Sequence, residues 1–135
     1  MKISTKAGYG LRACFILSLH EGEVLSVADI VKCTAISQKY LERILCTLSK
    51  DGIVTAKRGA NGGYTLAKPA SEISVGEIFR SLEDNLEITD CIGGVCNDQY
   101  CPNRNLMQKL YAHINELLDG YSLKDLLKDN TCYEA

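Results

Sequence analysis

The spacing of apolar residues changes within the first half of the chain, from a helical period to an extended one. Three segments between residues 5 and 52 repeat apolar side chains every three or four positions, and only a tight break separates the second from the third. The extended segments 53–56 and 64–67 follow, on either side of the basic, glycine-rich stretch 57–63. Three helices followed by a hairpin predict a winged helix-turn-helix.

Serine residues mark the predicted helix starts. The second and third helices begin at Ser26 and Ser37, a fourth begins at a capping box of Ser74 and Glu77, and a last short helix begins at Ser122. Between the last two lie an aperiodic segment and a long amphipathic helix. The predicted fold is therefore mainly α-helical with a small β-hairpin: a winged helix-turn-helix plus a long C-terminal dimerisation helix.

Charge is distributed unevenly between the two halves of the chain. The 135 residues carry a net charge of -2, but residues 1–68 contain ten Lys or Arg and five Asp or Glu, whereas residues 69–135 contain five and twelve. A basic half suits a polyanionic partner, and an acidic half would not lie along phosphates. We therefore expect a winged-helix DNA-binding domain over 1–68, and a sensor loop (84–103) and dimerisation helix (104–119) with a C-terminal tail within 69–135.

Several classes of protein are disfavoured by what the sequence lacks. No apolar run approaches the roughly 20 residues of a membrane span, and the first residues lack the apolar core of a signal peptide, so we expect a cytoplasmic protein with no membrane partner. No nucleophile–base pair or phosphate loop is recognisable, so neither an enzyme nor a small-molecule substrate is expected. An electron carrier would explain the cysteines and leave the predicted recognition helix unexplained.

The third helix carries the candidate base-reading side chains. A helix in the major groove needs polar side chains near its N-terminus and apolar ones behind. Candidate donors to bases or phosphates are Ser37, Gln38, Tyr40 and Arg43, and a candidate acceptor from a cytosine amine is Glu42. We therefore expect double-stranded DNA as the partner. The alternative is a winged helix that binds protein and has a solvated basic face.

The hairpin tip supplies a second predicted contact to DNA. Arg58 stands among glycines that let backbone approach the sugar-phosphate surface, and an arginine fits a narrow minor groove. Lys2, Lys6 and Lys57 are candidate phosphate contacts. This arginine-glycine tip favours the DNA-binding interpretation over the protein-binding one.

Three of the seven cysteines lie in the aperiodic segment. Cys91, Cys96 and Cys101 are spaced C-x4-C-x4-C. Thiolates suit an iron-sulfur cluster, 4Fe-4S or 2Fe-2S, and a loop can wrap such a group. A zinc site, a thiol-disulfide switch and unligated thiols remain alternatives.

Other residues receive weaker assignments. The fourth cluster ligand is left open among Asp90, Asp98, Cys132, a partner residue, a water or a small thiol. Buried small side chains are the expected role of Cys14, Cys33 and Cys46.

The long helix is expected to pair with a two-fold mate, because a chain of this size has few elements to cover both its sides. Such a homodimer would read a palindromic operator with half-sites about 34 Å apart, or a multiple of that. Cluster binding or loss would then change the loop beside this helix and bias the spacing of the two winged helices.

The segments MKISTKAGYGLRA, SQKYLERIL and RGANGGYTL, the last followed by ISVGEI, resemble the Rrf2 family of bacterial winged-helix regulators. That family includes regulators of iron-sulfur cluster assembly, of the nitric-oxide and iron responses, and of cysteine metabolism. The resemblance runs from Met1 through the long C-terminal helix. It implies a homodimer, recognition-helix roles for Ser37, Tyr40, Glu42 and Arg43, and wing roles for Arg58 and Gly59.

The resemblance also bears on the cysteines. Cluster-binding members place three cysteines in this loop, whereas members that repress cysteine metabolism act with a protein partner and need no cluster. Two departures matter. Arg43 stands where cluster-assembly regulators often have Gln, so their base preference does not carry over. Gly8 stands where some relatives have an acidic cluster ligand, and Asn103 and Arg104 lie where others have a histidine.

Overall fold

The computed structural model describes residues 3–83 and 100–130 of the chain. In these ranges the elements are, in order, α1 (Thr5–Leu19), α2 (Val27–Val31), α3 (Gln38–Lys50), β1 (Val54–Lys57), β2 (Gly63–Leu66), a 3-10 helix (Ala70–Glu72), α4 (Val75–Leu82), α5 (Arg104–Gly120) and α6 (Leu123–Asp129). This confirms the predicted fold class, helices with one hairpin. None of the described helices is long and apolar enough to cross a bilayer.

Serine caps begin four of these helices where the sequence predicts them: Ser26, Ser37, Ser74 and Ser122. Each serine side chain accepts a hydrogen bond from the backbone N–H three residues further on, which satisfies a donor that the helix itself leaves unpaired. Each such cap contributes about 1 kcal/mol of stability. The predicted capping box of Ser74 and Glu77 is confirmed, and Ser122 forms a second one with Asp125.

A single apolar core lies between α1, α3 and α4. Its largest fully buried side chains come from all three helices and from α2 and α6, and include Leu17, Ile30, Leu45, Ile78 and Leu123. The core therefore takes residues from both sides of residue 68, and the predicted boundary there stays a prediction.

The hairpin is fastened to the segment that precedes α2. Its strands pair antiparallel, with Val54 opposite Leu66 and Lys57 opposite Gly63. The N–H of Leu25 donates to the carbonyl of Tyr64 at 2.9 Å, and the N–H of Tyr64 donates to the carbonyl of Leu25 at 2.8 Å. This two-way bridge fixes the hairpin beside α2 and α3.

The long helix α5 has no buried residue. Met107, Tyr111, Ile114 and Leu118 are half-buried along one stripe. A second apolar stripe is exposed: Leu106, Leu110 and Leu117 are 60%, 48% and 67% exposed. A stripe of large apolar side chains in water is typical of a surface that another molecule covers.

The expectation of burial was right for Cys14 and wrong for Cys33 and Cys46, which are both exposed. Cys33 lies in the turn after α2, outside the helical period. Cys46 lies on α3 beside the buried Leu45 but turned away from the core. Apolar periodicity places a helical face only to within about one position, so a small residue at the edge of the stripe is easily misplaced.

Two glycine-to-alanine variants should change stability in opposite directions. A Cβ at Gly63 would lie 2.0 Å from the carbonyl oxygen of Leu25, so Gly63→Ala must displace the bridge and should lower the free energy of unfolding by about 1–3 kcal/mol. A Cβ at Gly8, within α1, meets nothing within 4 Å, so Gly8→Ala should raise that free energy by about 0.5–1 kcal/mol. Urea unfolding at one fixed protein concentration measures both. Equal stability of the two variants would contradict the close approach at Gly63.

Candidate nucleic-acid interface

Helix α3 is divided lengthwise between the core and solvent. Its stripe of Leu41, Ile44, Leu45 and Leu48 is fully buried. Its other face is exposed and polar: Gln38, Lys39, Glu42, Arg43 and Lys50. Ser37 caps the first turn through its side chain and leaves the neighbouring polar side chains exposed. The N-terminal half of the polar face is therefore open to a large partner.

The predicted base-reading residues lie on different sides of this exposed surface. The amide of Gln38 donates to a carboxylate oxygen of Glu42 at 3.5 Å, so these two side chains share one side. Arg43 is exposed on the adjoining side. Tyr40 is half-buried, and its ring meets that of Tyr9 edge-on, with 6.3 Å between centroids and 88° between planes. Tyr40 therefore packs toward α1 rather than standing free in solvent.

An open cleft runs between α3, the start of α2 and the hairpin. The sequence-predicted residues that line it are Gln38, Glu42, Lys57, Arg58 and Gly59. The structure thus brings together two side chains of the predicted recognition helix and the predicted hairpin tip. Lys6 lies in α1, half-buried, and Lys2 lies outside the described residues.

The hairpin tip is tight, and its backbone explains its glycines. Gly59 has φ +112°, a conformation that side chains with a Cβ rarely adopt. A Cβ at Gly62 would lie 2.3 Å from the carbonyl oxygen of Lys57. Arg58 is exposed next to this turn, so its guanidinium is available to a partner that the glycine backbone lets come close.

Two cleft features were not anticipated from the sequence. Tyr64 of β2 faces α3: burial raises its pKa, and the nearby Cys46 and Glu42 raise it further. Ser26, which caps α2, and Val27 and Ala28 in its first turn also line the cleft. They are brought there by the Leu25–Tyr64 bridge, a pairing between distant positions that leaves no local signal in the sequence.

The cysteine triad is only partly within the described residues. Cys101 is half-buried in the turn before α5, and its carbonyl accepts the N–H of Arg104 at 3.3 Å. Cys91, Cys96 and Cys132 lie outside the described residues. Among residues 3–83 and 100–130, no three His, Cys, Asp or Glu side chains converge as a metal site.

A capped, solvent-facing third helix beside a glycine-tipped hairpin defines a winged helix-turn-helix protein. The chain belongs to the Rrf2 family, because the family model, described as an iron-dependent transcriptional regulator, matches residues 3–129. It is thus a transcriptional regulator of that family, which confirms the resemblance seen in the sequence.

Solved structures agree with this assignment. CymR (YrzC), the global cysteine regulator of B. subtilis, is 32% identical, with a TM-score of 0.86 over 96% of this chain and 98% of that one. IscR of T. potens is 35% identical, with a TM-score of 0.80 over 100% and 93%. The oxidized form of S. aureus CymR is 34% identical, with a TM-score of 0.77 over 93% and 95%.

The cysteines outside the triad should differ sharply in reactivity. Burial raises the pKa of Cys14 to about 12 and removes its thiol from solvent, whereas Cys33 and Cys46 are exposed. Brief treatment of the native protein with iodoacetamide at pH 8 should alkylate Cys33 and Cys46 and leave Cys14 unmodified, as read by mass spectrometry of peptides. Unfolding in urea should make all three reactive. Equal labelling of Cys14 in the native protein would contradict its placement.

Proposed function

We propose that the chain is a repressor that binds double-stranded DNA as a homodimer through α3 and the hairpin, in the cytoplasm. The observation that carries this proposal is the shared cleft, which places Gln38 and Glu42 of α3 beside Lys57 and Arg58 of the hairpin. Two separate DNA-contacting elements on one surface are what a winged helix needs to follow the major groove and the adjacent backbone.

In this proposal α3 reads bases in the major groove. Gln38 has the amide geometry that pairs with adenine, Glu42 accepts from a cytosine amine, and Arg43 donates to guanine or to a phosphate. Ser37 and Tyr40 contact phosphates at the edges of this surface. The full burial of the opposite face supports the assignment, since the helix cannot turn its polar side chains away from the duplex without exposing its leucines.

The hairpin supplies the contacts to the minor groove and the backbone. Arg58 enters the minor groove, where a narrow groove concentrates negative potential. Gly59 lets the chain approach the sugar, and Lys57, Lys6 and Lys2 contact phosphates.

The second copy covers the exposed stripe of α5. Leu106, Leu110 and Leu117 recur along one side of the helix, so two such helices can pair about a two-fold axis and bury the stripe. A two-fold dimer presents two α3 helices to half-sites about 34 Å apart, which makes the operator palindromic.

DNA binding is tested with duplexes selected from a random library, followed by equilibrium titration of variants against the selected sequence. Arg58→Ala and Arg43→Ala should each weaken binding by about 1–3 kcal/mol, and Arg43→Ala should also relax base preference at one position of each half-site.

A matched pair of lysines provides the control. Lys57→Ala should weaken binding to all sequences alike and reduce the salt dependence by about one unit of slope per protomer, since it removes one phosphate contact. Lys124→Ala removes an equally exposed cation from α6, in the acidic half, and should leave affinity within about twofold. Failure of the wild type to select any sequence would refute the proposal, as would equal loss in the two lysine variants.

We further propose that Cys91, Cys96 and Cys101 hold an iron-sulfur cluster that sets the DNA affinity. Three thiolates are a suitable donor set for such a cluster. The half-buried Cys101 adjoins the start of α5, where a bound group can be partly shielded from solvent and still be reached by small molecules. A bound cluster supplies an iron centre that reacts with oxygen, nitric oxide or chelators. The iron-dependent family description and the 35% identity to IscR support this assignment.

Similarity to the B. subtilis cysteine regulator favours a second candidate, regulation of cysteine metabolism with a protein partner and no cluster. Similarity to a CymR structure in an oxidized form supports a third, a thiol-disulfide switch. All three use the same α3 and hairpin on DNA and differ only in what the cysteines do.

Anaerobic purification should yield a brown protein with thiolate-to-iron charge-transfer absorption and equal iron and sulfide content. Cys96→Ala should lose both metal and colour, whereas Cys46→Ala, which removes an exposed cysteine outside the triad, should keep them. A colourless wild type with zinc, or with no metal, would refute the cluster and leave the DNA-binding proposal standing. Equal DNA affinity of loaded and cluster-free protein would refute the regulatory role.

A further inference from the structure

Arg80 of α4 ties that helix to the last turns of α5. Its Nη1 donates to Oδ1 of Asp119 at 2.5 Å, and its Nη2 donates to Oδ2 of Asp119 at 3.2 Å and to Oδ1 of Asn115 at 2.6 Å. The amide nitrogen of Asn115 donates to the carbonyl of Tyr111 at 2.9 Å, which holds the amide oxygen toward Arg80. One guanidinium therefore binds two consecutive turns of α5.

A glycine permits this close approach. A Cβ at Gly76 would lie 2.3 Å from Oδ1 of Asp119 and 2.8 Å from Nη1 of Arg80, and also 3.3 Å from the backbone of Leu118. A second link lies nearby, where the N–H of Val75 donates to the carbonyl of Tyr121 at 2.8 Å. We call the set Gly76, Arg80, Asn115 and Asp119 the α4–α5 clamp.

The clamp connects α4, which packs against α3, to α5, which carries the exposed apolar stripe. On one side α4 is packed into the core with α3 through Ile78 and Leu82, so α4 moves with the recognition helix. On the other side α5 carries the exposed stripe, which the proposed function assigns to the second copy. The angle at this joint therefore relates each α3 helix to the two-fold axis.

Stability alone does not explain the clamp. The side chains of Arg80 and Asp119 are 41% and 53% exposed, so solvent screens their attraction and limits its contribution to folding. A bidentate guanidinium–carboxylate pair does impose a direction, since both bonds must lie in one plane. An interaction that contributes little to the free energy of folding but restricts the relative orientation of two helices is suited to fix the angle between α4 and α5.

We propose that the α4–α5 clamp determines which spacing between half-sites the dimer prefers. This inference rests on the proposed function. Each base pair inserted between half-sites moves the second one by about 3.4 Å and turns it by about 34°. A rigid joint matches one spacing and loses contacts at the others, whereas a loosened joint accepts several.

The test measures dissociation constants for operators whose half-sites are separated by the selected spacing or by one or two base pairs more or fewer. It includes a duplex with a single half-site. Wild type should prefer the selected spacing by about tenfold or more. Asp119→Ala, which removes the bidentate acceptor, and Gly76→Ala, whose Cβ would displace the Asp119 carboxylate and the Arg80 guanidinium from their pairing, should each reduce that preference to about threefold or less.

Matched measurements separate an effect on spacing from general damage. Glu72→Ala removes an exposed acid from the 3-10 helix and should keep the wild-type preference. Single half-site affinity and the dimer dissociation constant should stay within about twofold in all variants, because neither α3 nor the exposed stripe is altered. A variant that damages the fold in general would instead weaken both the affinity for a single half-site and the dimer.

Unchanged spacing preference in both clamp variants would overturn the inference while the proposed function stands. Dimer dissociation in Asp119→Ala would also overturn it, since the clamp would then maintain the dimer and not its geometry. Failure of wild type to bind any duplex would instead overturn the proposed function.

Discussion

Burial of one face of α3 is the constraint on which the rest of the molecule depends. Four large side chains of this helix, Leu41, Ile44, Leu45 and Leu48, are fully buried, and each contributes about 1.5–3 kcal/mol by leaving water. The helix therefore has one permitted rotation about its axis. Every polar side chain on its other face is oriented by that rotation, so the core fixes the direction of this polar surface before any polar contact forms.

Helix α4 carries this constraint to the rest of the chain through hydrogen bonds at its C-terminal end. The carboxylate of Glu83 accepts the N–H of Ser4 at 2.6 Å, and the hydroxyl of Ser81 donates to Asp51 at 2.5 Å. The first bond reaches the cap of α1 and the second reaches the end of α3. Together with Arg80, which reaches α5, these bonds connect the eight-residue α4 to α1, α3 and α5.

What the sequence could predict is what neighbouring residues determine. The serine caps, the glycine-tipped hairpin and the amphipathic division of α3 depend on positions a few residues apart, and all were predicted. Two contacts join residues 39 positions apart: the Leu25–Tyr64 bridge and the ion pair of Arg80 with Asp119. No local sequence pattern predicts either contact. Cys46 was misassigned because it follows the buried Leu45 at the edge of the apolar stripe of α3, where periodicity alone does not fix which way a side chain faces.

Along the chain, the cysteine triad lies between the two helices that the clamp joins. Gly76 meets Asp119 and Arg80 meets Asn115, so α4 and α5 run antiparallel. Under the proposed function, a cluster, a zinc ion or a disulfide among Cys91, Cys96 and Cys101 would each act through the part of the chain that connects α4 to α5. In that proposal the change in helix geometry depends on α4, α5 and the clamp, whereas the chemical signal depends on the thiols. The positions of α3 and the hairpin do not depend on the cysteine triad, because the core and the bridge at Leu25 hold those elements.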